Sequence, residues 1–224
     1  MKITKEILSF LKKQTDTILL FHSGIGKDSI VLLDLLIKYG FKVQPVFMYV
    51  IEILQLTEKY ILWAENKYKV KFIRTPAYYM NNYHKIGYLG LEQKQIANKS
   101  LTQLNNEIRQ QTGIEWTVYG FKKVDGLNRR ILLNELYLHG INEKTKKIYP
   151  LTNWKNSECL AYIKLNKLIP PLAYNPRKPS SDIELTDKSF LFYMEKNYPS
   201  DLKKIFNTFP ETQALLNLYK NEAE

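Results

Sequence analysis

One strand–loop–helix unit near the start of the chain constrains the fold most strongly. The segment Thr17–His22 (TILLFH) is a short apolar run, and residues 29–39 (SIVLLDLLIKY) are apolar almost all round. A short apolar run that is followed by a glycine-containing loop is typical of a strand buried in a parallel sheet. The second segment predicts a buried helix that ends at Gly40, because glycine is favoured just after a helix end.

Strands and helices continue to alternate along the chain. Apolar residues at helical spacing predict an amphipathic helix before the first strand. After Gly40 we predict strands at residues 43–48, 70–74, 116–120 and 148–151, and helices at residues 53–67, 93–111 and 157–166. Residues 76–92 are aromatic and polar, contain two glycines, and are predicted to form a long loop. The alternation indicates an α/β fold, with a parallel twisted sheet and helices on both of its faces.

A proline-rich stretch divides the chain. Pro170, Pro171, Pro176 and Pro179 predict an extended segment with little regular structure. We therefore predict an α/β domain at residues 1–175 and a C-terminal helical extension at residues 180–224.

The loop after the first strand contains the strongest chemical signal. It reads Ser23-Gly24-Ile25-Gly26-Lys27-Asp28-Ser29 and leads directly into a predicted helix. Free N–H groups and the positive end of the helix dipole bind phosphate at such a position, and glycine lets the backbone approach the oxygens closely. Lys27 adds a positive charge, the serines add hydroxyl groups, and Asp28 can cap the helix or help to hold Mg²⁺. We predict that all seven residues bind the phosphates of a nucleotide; the alternative is an ordinary strand-to-helix turn.

A second candidate segment follows the strand predicted at residues 116–120. Its candidate residues are Gly120, Lys122, Lys123, Asp125, Arg129 and Arg130. Loops at the carboxyl ends of parallel strands form the ligand crevice of such folds. We therefore expect these cations to face the phosphates that residues 26–29 hold. A solvated basic loop is the alternative.

Composition narrows the range of partners and cofactors. The chain has 33 basic and 22 acidic residues, and its net charge of +11 favours anionic partners such as nucleotides, sulfate esters or nucleic acid. A basic surface with scattered lysines explains the same excess. Because the chain has one cysteine, Cys159, and three histidines far apart in sequence, we expect neither an iron–sulfur cluster nor a zinc site.

No membrane contact is expected from the sequence. The first residues, MKITKEILSFLKKQ, lack the apolar core of a signal peptide. Apolar stretches such as residues 30–37, which contain Asp34, are too short to span a bilayer. We therefore predict a cytoplasmic protein.

Three segments together resemble the PP-loop family, and within it the phosphoadenylylsulfate (PAPS) reductases and the small subunits of sulfate adenylyltransferase. Residues 23–29 are similar to the PP-loop S-G-G-x-D-S and to its variant S-x-G-K-D-S. Residues 120–130 resemble G-x-R-x-x-E-S-x-x-R, with Lys122 and Asp125 in place of the first arginine and the glutamate, and with Arg129 at the last arginine. Residues 149–174 resemble the P-L-x-x-W segment that follows in this family. The resemblance covers residues 17–175 and implies a Rossmann-like, adenine nucleotide alpha-hydrolase-like fold.

The chain also departs from the family pattern. Ser23 is separated from Gly26 by two residues rather than one, so either Gly24 takes the place of the first serine or the loop bulges. The acidic turn after the second strand is absent, and Glu52 comes two or three residues late. The reductases carry a nucleophilic cysteine in a C-terminal E-C-G-[IL]-H motif, whereas no cysteine follows Cys159 here. We predict that Cys159 packs within a helix, and we do not expect reductase chemistry by the usual route.

The resemblance implies an enzyme that binds ATP with Mg²⁺ and cleaves it to AMP and pyrophosphate, adenylating sulfate or a nucleic acid. In this interpretation Lys27, Asp28, Lys122 and Arg129 are catalytic, and Asp28 contacts the metal ion. One alternative is sulfotransfer from PAPS with a thiol supplied by a partner protein or second subunit. The other is a nucleotide-binding or structural module that has kept the fold without the reaction.

Overall fold

The computed structural model describes residues 2–175, 177, 180 and 182–222. The strands are β1 Thr17–His22, β2 Lys42–Tyr49, β3 Ile73–Pro76, β4 Thr117–Val118, β5 Ile141–Asn142 and β6 Lys147–Ile148. The helices are α1 Lys2–Gln14, α2 Lys27–Lys38, α3 Gln55–Tyr68, α4 Met80–Ile86, α5 Leu101–Thr112, α6 Leu127–Asn134, α7 Asn156–Leu165, α8 Lys188–Asn197, α9 Pro199–Thr208 and α10 Glu211–Asn221, and a 3₁₀ turn covers Lys123–Asp125. Within the described part of the chain, no helix combines the length and the apolar character needed to cross a membrane.

The strands form one sheet in the order β3-β2-β1-β4-β6-β5. Neighbouring strands are parallel except β5, which runs antiparallel to β6 at the edge. β1 lies in the middle and pairs with β2 along its whole length, from Thr17 opposite Lys42 to His22 opposite Phe47. The predicted α/β fold is confirmed, with one antiparallel edge strand added to the parallel sheet.

Helices cover both faces of the sheet, as the sequence predicts. Ile18 and Leu20 of β1 belong to a large apolar cluster that also contains residues of α1, α2, α3 and α7. Leu19 and Phe21 belong to a second cluster, in which Leu104 of α5 takes part. Because successive residues of a strand point to opposite faces, the two clusters lie on opposite sides of the sheet.

The segment between β3 and α5 differs from the prediction. Residues 76–92, predicted as a loop, contain α4, which ends where Gly87 adopts a φ of 67°. The helix predicted from residue 93 begins only at Leu101. Ser100 fixes this start, because its hydroxyl accepts a hydrogen bond from the Gln103 N–H at 3.1 Å and its own N–H donates to Gln103 Oε1 at 2.7 Å. The sequence pattern located the helix, but side-chain capping determined where it begins.

The C-terminal helices α8, α9 and α10 pack against the α/β part and extend the same core. Phe190 and Ile205 have no exposed surface and belong to the large apolar cluster. The buried carboxylate of Asp201 in α9 accepts a hydrogen bond at 3.0 Å from the N–H of Leu56, in the first turn of α3. This contact caps α3 from another helix. The predicted domain boundary falls largely on residues 176, 178 and 179, which lie outside the described residues along with two of the four prolines, so the division stays a prediction.

Candidate functional site

The loop at residues 23–29 connects the carboxyl end of β1 to the first turn of α2. Gly24 has a φ of 84°, in the left-handed region, and a Cβ atom there would lie 2.9 Å from Cε2 of Phe47. The Ile25 side chain is 2% exposed and packs in the large apolar cluster. We call these two residues the Gly24–Ile25 arc. The arc takes up the extra residue of this loop, so of the two alternatives left by the sequence the structure shows the bulge.

Two serines join the ends of the loop. The Oγ atoms of Ser23 and Ser29 are 3.1 Å apart, and the Ser23 N–H donates to Ser29 Oγ at 3.0 Å. The Gly26 N–H donates to Ser23 Oγ at 3.2 Å. Despite the longer spacing, Ser23 therefore lies at the start of α2.

Three backbone N–H groups of the loop have no acceptor among the residues that the structure describes. They belong to Ile25, Asp28 and Ser29, and the Lys27 N–H makes only a long contact of 3.5 Å to Ser180 Oγ. Asp28 and Ser29 lie in the first turn of α2, where N–H groups have no partner within the helix and the dipole is positive. A group of donors at this position can bind an anion such as phosphate.

A cluster of charged side chains lies beside these donors. Asp28 Oδ2 is 3.2 Å from Lys27 Nζ and also forms an ion pair with Lys122 Nζ. Lys122 Nζ is 3.1 Å from Asp125 Oδ1, and the Lys122 N–H donates to Asp125 Oδ2 at 2.8 Å. The Lys122 side chain has no exposed surface. Its burial disfavours the charged form, but the two carboxylates outweigh burial and raise the pKa of Lys122, so it stays protonated and holds both acids.

Gly120 and Arg129 line a cleft together with the loop. This cleft is the larger of the two cavities described below. A Cβ atom on Gly120 would be 3.4 Å from Cβ of Asp28, so the two backbones approach closely. The Arg129 guanidinium carbon is 3.3 Å from the centre of the Phe121 ring. Stacking of this kind fixes the guanidinium in place. Among the described residues, Arg129 has no ion-pair or hydrogen-bond partner, so its N–H groups are available to a ligand.

Lys123 and Arg130 make contacts or are exposed outside the cleft. The Lys123 N–H donates to the carbonyl oxygen of Thr152 at 2.9 Å, and burial lowers the pKa of the Lys123 amine. Arg130 is exposed on α6. Neither side chain lines the cleft, among the residues described there.

The loop lies between two neighbouring cavities. The larger has a volume of about 490 Å³ and is lined by most of the loop and by Gly120, Asp125 and Arg129. The smaller, of about 300 Å³, lies on the side of the Gly24–Ile25 arc. Ser23, Met48 and Asp182 line both. The structure thus brings the two predicted segments together at the carboxyl ends of β1 and β4.

Sequence reasoning missed several residues of the two cavities. The aromatic and apolar side chains that line the larger cavity are Phe21, Met48, Tyr78, Leu101, Tyr119 and Phe121. Ser180 and Asp182 reach the loop from far along the chain. Leu172, earlier along the chain, also contacts the loop, because its N–H donates to the Ile25 carbonyl oxygen at 3.1 Å. No local pattern in the sequence marks these residues, because only the folded chain brings them to the loop.

Cys159 contacts the same charged cluster from within the core. Its side chain has no exposed surface and lies in α7. Burial, followed by the neighbouring Asp28 carboxylate, raises the pKa of the Cys159 thiol. Nucleophilic cysteines are accessible and have a lowered pKa. In this conformation Cys159 is therefore a packing residue.

His22 gives the protein a pH-dependent stability. Burial lowers the pKa of His22 to about 3 from its ordinary value of 6.5. The unfolded chain therefore binds a proton in this range while the folded protein does not, and the stabilisation is complete above pH 6.5 and is lost as the pH falls toward 3. We expect the free energy of unfolding to fall by about 1.4 kcal/mol per pH unit in this window because of His22. Urea unfolding at pH 7.5 and pH 5 tests this, since the His22→Asn variant should lose about 2 kcal/mol less than the wild type. Equal losses in both proteins would contradict it.

Comparison with known families identifies the chain. The family model of the phosphoadenosine phosphosulfate reductase domain matches residues 18–175, which include both segments of the cleft. The chain belongs to the PAPS reductase family. The resemblance seen in the sequence is thereby confirmed, and no curated protein matches this family member significantly in sequence.

The solved structures that are similar to this PAPS reductase family protein include the following two. The U34-tRNA thiolase NcsA from Methanococcus maripaludis has 14% identity and a TM-score of 0.45, and the match covers 98% of this chain and 78% of that one. The NH3-dependent NAD synthetase from Campylobacter jejuni subsp. jejuni NCTC 11168, in complex with the nitrate ion, has 17% identity and a TM-score of 0.48, with 98% and 91% covered.

The cofactor prediction from the sequence is corrected by one of these structures. We expected ATP or PAPS with Mg²⁺, and neither an iron–sulfur cluster nor zinc, whereas NcsA carries a [4Fe-4S] cluster. That finding contradicts the cofactor prediction, in which no iron–sulfur cluster was expected. The residues described here do not fit such a group, because the chain has a single, buried cysteine, and no three His, Cys, Asp or Glu side chains among them are placed to hold a metal ion.

Proposed function

We propose that the protein is an adenylyl transferase that binds ATP at residues 23–29 and cleaves it between the α- and β-phosphates. An acceptor oxygen attacks the α-phosphorus, the bond from this phosphorus to the bridging oxygen breaks, and pyrophosphate leaves with the electron pair. The observation that carries the proposal is the set of backbone N–H groups of Ile25, Asp28 and Ser29, which have no acceptor among the described residues and lie between two cavities. Membership of a family that binds adenine nucleotides supports it.

The charges beside these donors suit a leaving pyrophosphate. The Lys27 amine can leave Asp28 and bind a phosphate oxygen instead. Asp28 remains neutralised in that case, because it keeps its ion pair with the buried Lys122. A fixed cation at the leaving group stabilises the charge that develops in the transition state. Arg129 also lines the cleft, and its N–H groups, which have no partner in the described part of the chain, can bind the α-phosphate or the acceptor. Lys122 contributes by holding Asp28 in place.

The smaller cavity supports ATP rather than a 3′-phosphorylated nucleotide such as PAPS. Ile25, Phe47 and Met48 give it the apolar wall that an adenine ring requires. Its described lining contains no Lys, Arg or His, and its charged member is Asp182. A 3′-phosphate placed there would meet the Asp182 carboxylate, and none of the described lining residues carries a positive charge that would bind it.

The acceptor is proposed to bind in the larger cavity. The apolar and aromatic side chains that line it, with Tyr78 and Phe121 among them, support an acceptor with an apolar or aromatic part, as in a nucleobase, over sulfate alone. The net charge of +11 also suits a nucleic acid. Sulfate remains the second acceptor to be tested, because Arg129 offers its N–H groups to any oxyanion.

The first experiment measures thermal stabilisation by ATP with MgCl₂, AMP, PAPS and 3′,5′-bisphosphoadenosine. A ligand at 100 times its Kd adds about 2.7 kcal/mol to the free energy of unfolding, which raises the melting temperature visibly. We expect ATP to stabilise the protein more than either 3′-phosphorylated ligand does. Pyrophosphate release is then measured with sulfate and with single-stranded oligonucleotides as acceptors.

The other possible results of these two experiments would indicate different functions. Preference for the 3′-phosphorylated ligands would indicate sulfotransfer from PAPS, for which a partner protein must supply the thiol, because Cys159 is buried. Binding of ATP without pyrophosphate release under any condition would indicate a non-catalytic nucleotide-binding module. If no nucleotide stabilises the protein, the proposal is wrong.

A further inference from the structure

We propose that His22 is a positioning residue for nucleotide binding, which fixes the Gly24–Ile25 arc through its Nδ1 atom. The inference rests on the proposed binding of ATP at residues 23–29. It goes beyond that proposal, because His22 is not one of the residues proposed to contact the nucleotide. His22 is absent from the described lining of both cavities.

The His22 ring is buried and faces the loop. His22 is the last residue of β1 and is 1% exposed. The Gly24 N–H donates to Nδ1 at 2.8 Å, so Nδ1 is the acceptor and the proton of the neutral ring is on Nε2. The Phe72 ring packs edge-on against the imidazole, with centroids 5.2 Å apart and planes at 90°. The ring is therefore held in the orientation that presents Nδ1 to the loop.

Among the described residues, this hydrogen bond acts together with two further contacts of the arc. The second is the Ile25 side chain, which is buried in the core, and the third is the Ile25 carbonyl oxygen, which accepts a hydrogen bond from the Leu172 N–H at 3.1 Å. Gly24 has a left-handed φ of 84°, and glycine has more conformational freedom than any other residue. Without the imidazole, the buried N–H of Gly24 would lose its acceptor among the described residues.

The position of the arc matters because it forms part of the site on both sides. Ile25 lines the smaller cavity, whereas Ser23 and Gly26, on either side of the arc, line the larger one. A shift of the arc therefore changes the distance between the smaller cavity, which we propose for the adenine ring, and the backbone N–H groups that we propose for the phosphates. A loop that is held in its binding conformation loses less entropy when the ligand binds.

Three variants separate positioning from packing. His22→Leu fills similar space but offers no acceptor to the Gly24 N–H. His22→Asn is smaller, yet its Oδ1 atom can accept the same hydrogen bond in place of Nδ1. Thr212→Val is the matched control, because it removes one buried hydrogen bond, that of Thr212 Oγ1 to the Phe209 carbonyl oxygen, in α10 and away from the loop.

The experiment measures the ATP Kd by calorimetry, the melting temperature, and the hydrogen exchange of the Gly24 amide without ligand. We expect His22→Leu to weaken ATP binding at least about tenfold and to lose protection of the Gly24 amide. His22→Asn should keep the amide protected and stay within about threefold of the wild-type Kd, and Thr212→Val should lower the melting temperature without changing the Kd.

The outcomes that overturn the inference are distinct from failure of the proposed function. If the wild type binds ATP and His22→Leu binds it equally well, His22 does not position the loop. Equal weakening by the leucine and asparagine variants would assign His22 a packing role only. If the wild type binds no nucleotide, the proposed function fails, and the inference fails with it.

Discussion

Replacing Lys122 by methionine should lower the free energy of unfolding by about 3–5 kcal/mol. Lys122 has no exposed side-chain surface and forms ion pairs with Asp28 and Asp125. Methionine keeps the side-chain volume, but it removes the lysine that pairs with Asp125 and leaves Asp28 with Lys27 alone, beside a buried apolar group. Because the two acids are partly exposed, water compensates some of this loss, and we expect a value near the lower end of the range.

Urea or guanidinium unfolding at pH 7.5 measures this change. The matched control is Lys12→Met, which removes an exposed lysine paired with Asp16 and should change the stability by less than about 1 kcal/mol. Adding Asp28→Asn to Lys122→Met should restore part of the lost stability, because it removes one of the two carboxylates that Lys122 neutralised. A loss below 1 kcal/mol for Lys122→Met, equal to that of the control, would show that the buried ion pairs do not hold the site together.

Replacing Lys27 by methionine should reduce ATP-dependent pyrophosphate release about 100-fold while leaving the fold intact. Lys27 and Lys122 both contact Asp28 Oδ2, but only Lys27 lines the cleft, at the start of α2. Loss of its charge removes a cation from the position proposed for the leaving group. The free energy of unfolding should fall by no more than about 1 kcal/mol, because Lys122 still neutralises Asp28.

Steady-state kinetics of pyrophosphate release, together with denaturant unfolding, test this prediction on one protein preparation. Lys123→Met is the control for charge, since Lys123 lies nearby in sequence without lining the cleft in the described structure. That variant should keep turnover within about threefold of the wild type. Turnover by Lys27→Met at the wild-type rate would remove Lys27 from the proposed mechanism, and a loss of stability as large as that of Lys122→Met would make its role structural.

The sequence by itself determined the central part of the fold. The apolar strand Thr17–His22 and the apolar helix that follows it can be buried only in the middle of a layered α/β structure, and the structure places β1 there. The two segments that carry the family resemblance meet at one cleft, because the loops after parallel strands lie at the same edge of the sheet. Both signals are local in the chain, which is why they could be recognised without coordinates.

Only the tertiary structure decided which of the predicted residues are positioned to contact a ligand. From the sequence, we predicted the same role for Lys27, Lys122 and Arg129, that of cations that contact the phosphates. In the structure Lys122 is buried between two carboxylates, whereas Arg129 is stacked on Phe121 with no described partner. Burial and pairing depend on what other elements pack around a side chain, and residue type and spacing do not contain that information.

The same reason explains the residues that sequence reasoning missed. His22 looked like the end of a strand, and nothing in its neighbourhood shows that its imidazole accepts the Gly24 N–H. Ser180 and Asp182 reach the loop across more than 150 residues of chain. The sequence fixes local propensity and the apolar pattern, and hence the sheet and the loop. Contacts between distant segments arise only when the core has packed, so they determine the charge, the hydrogen bonds and the shape of the site.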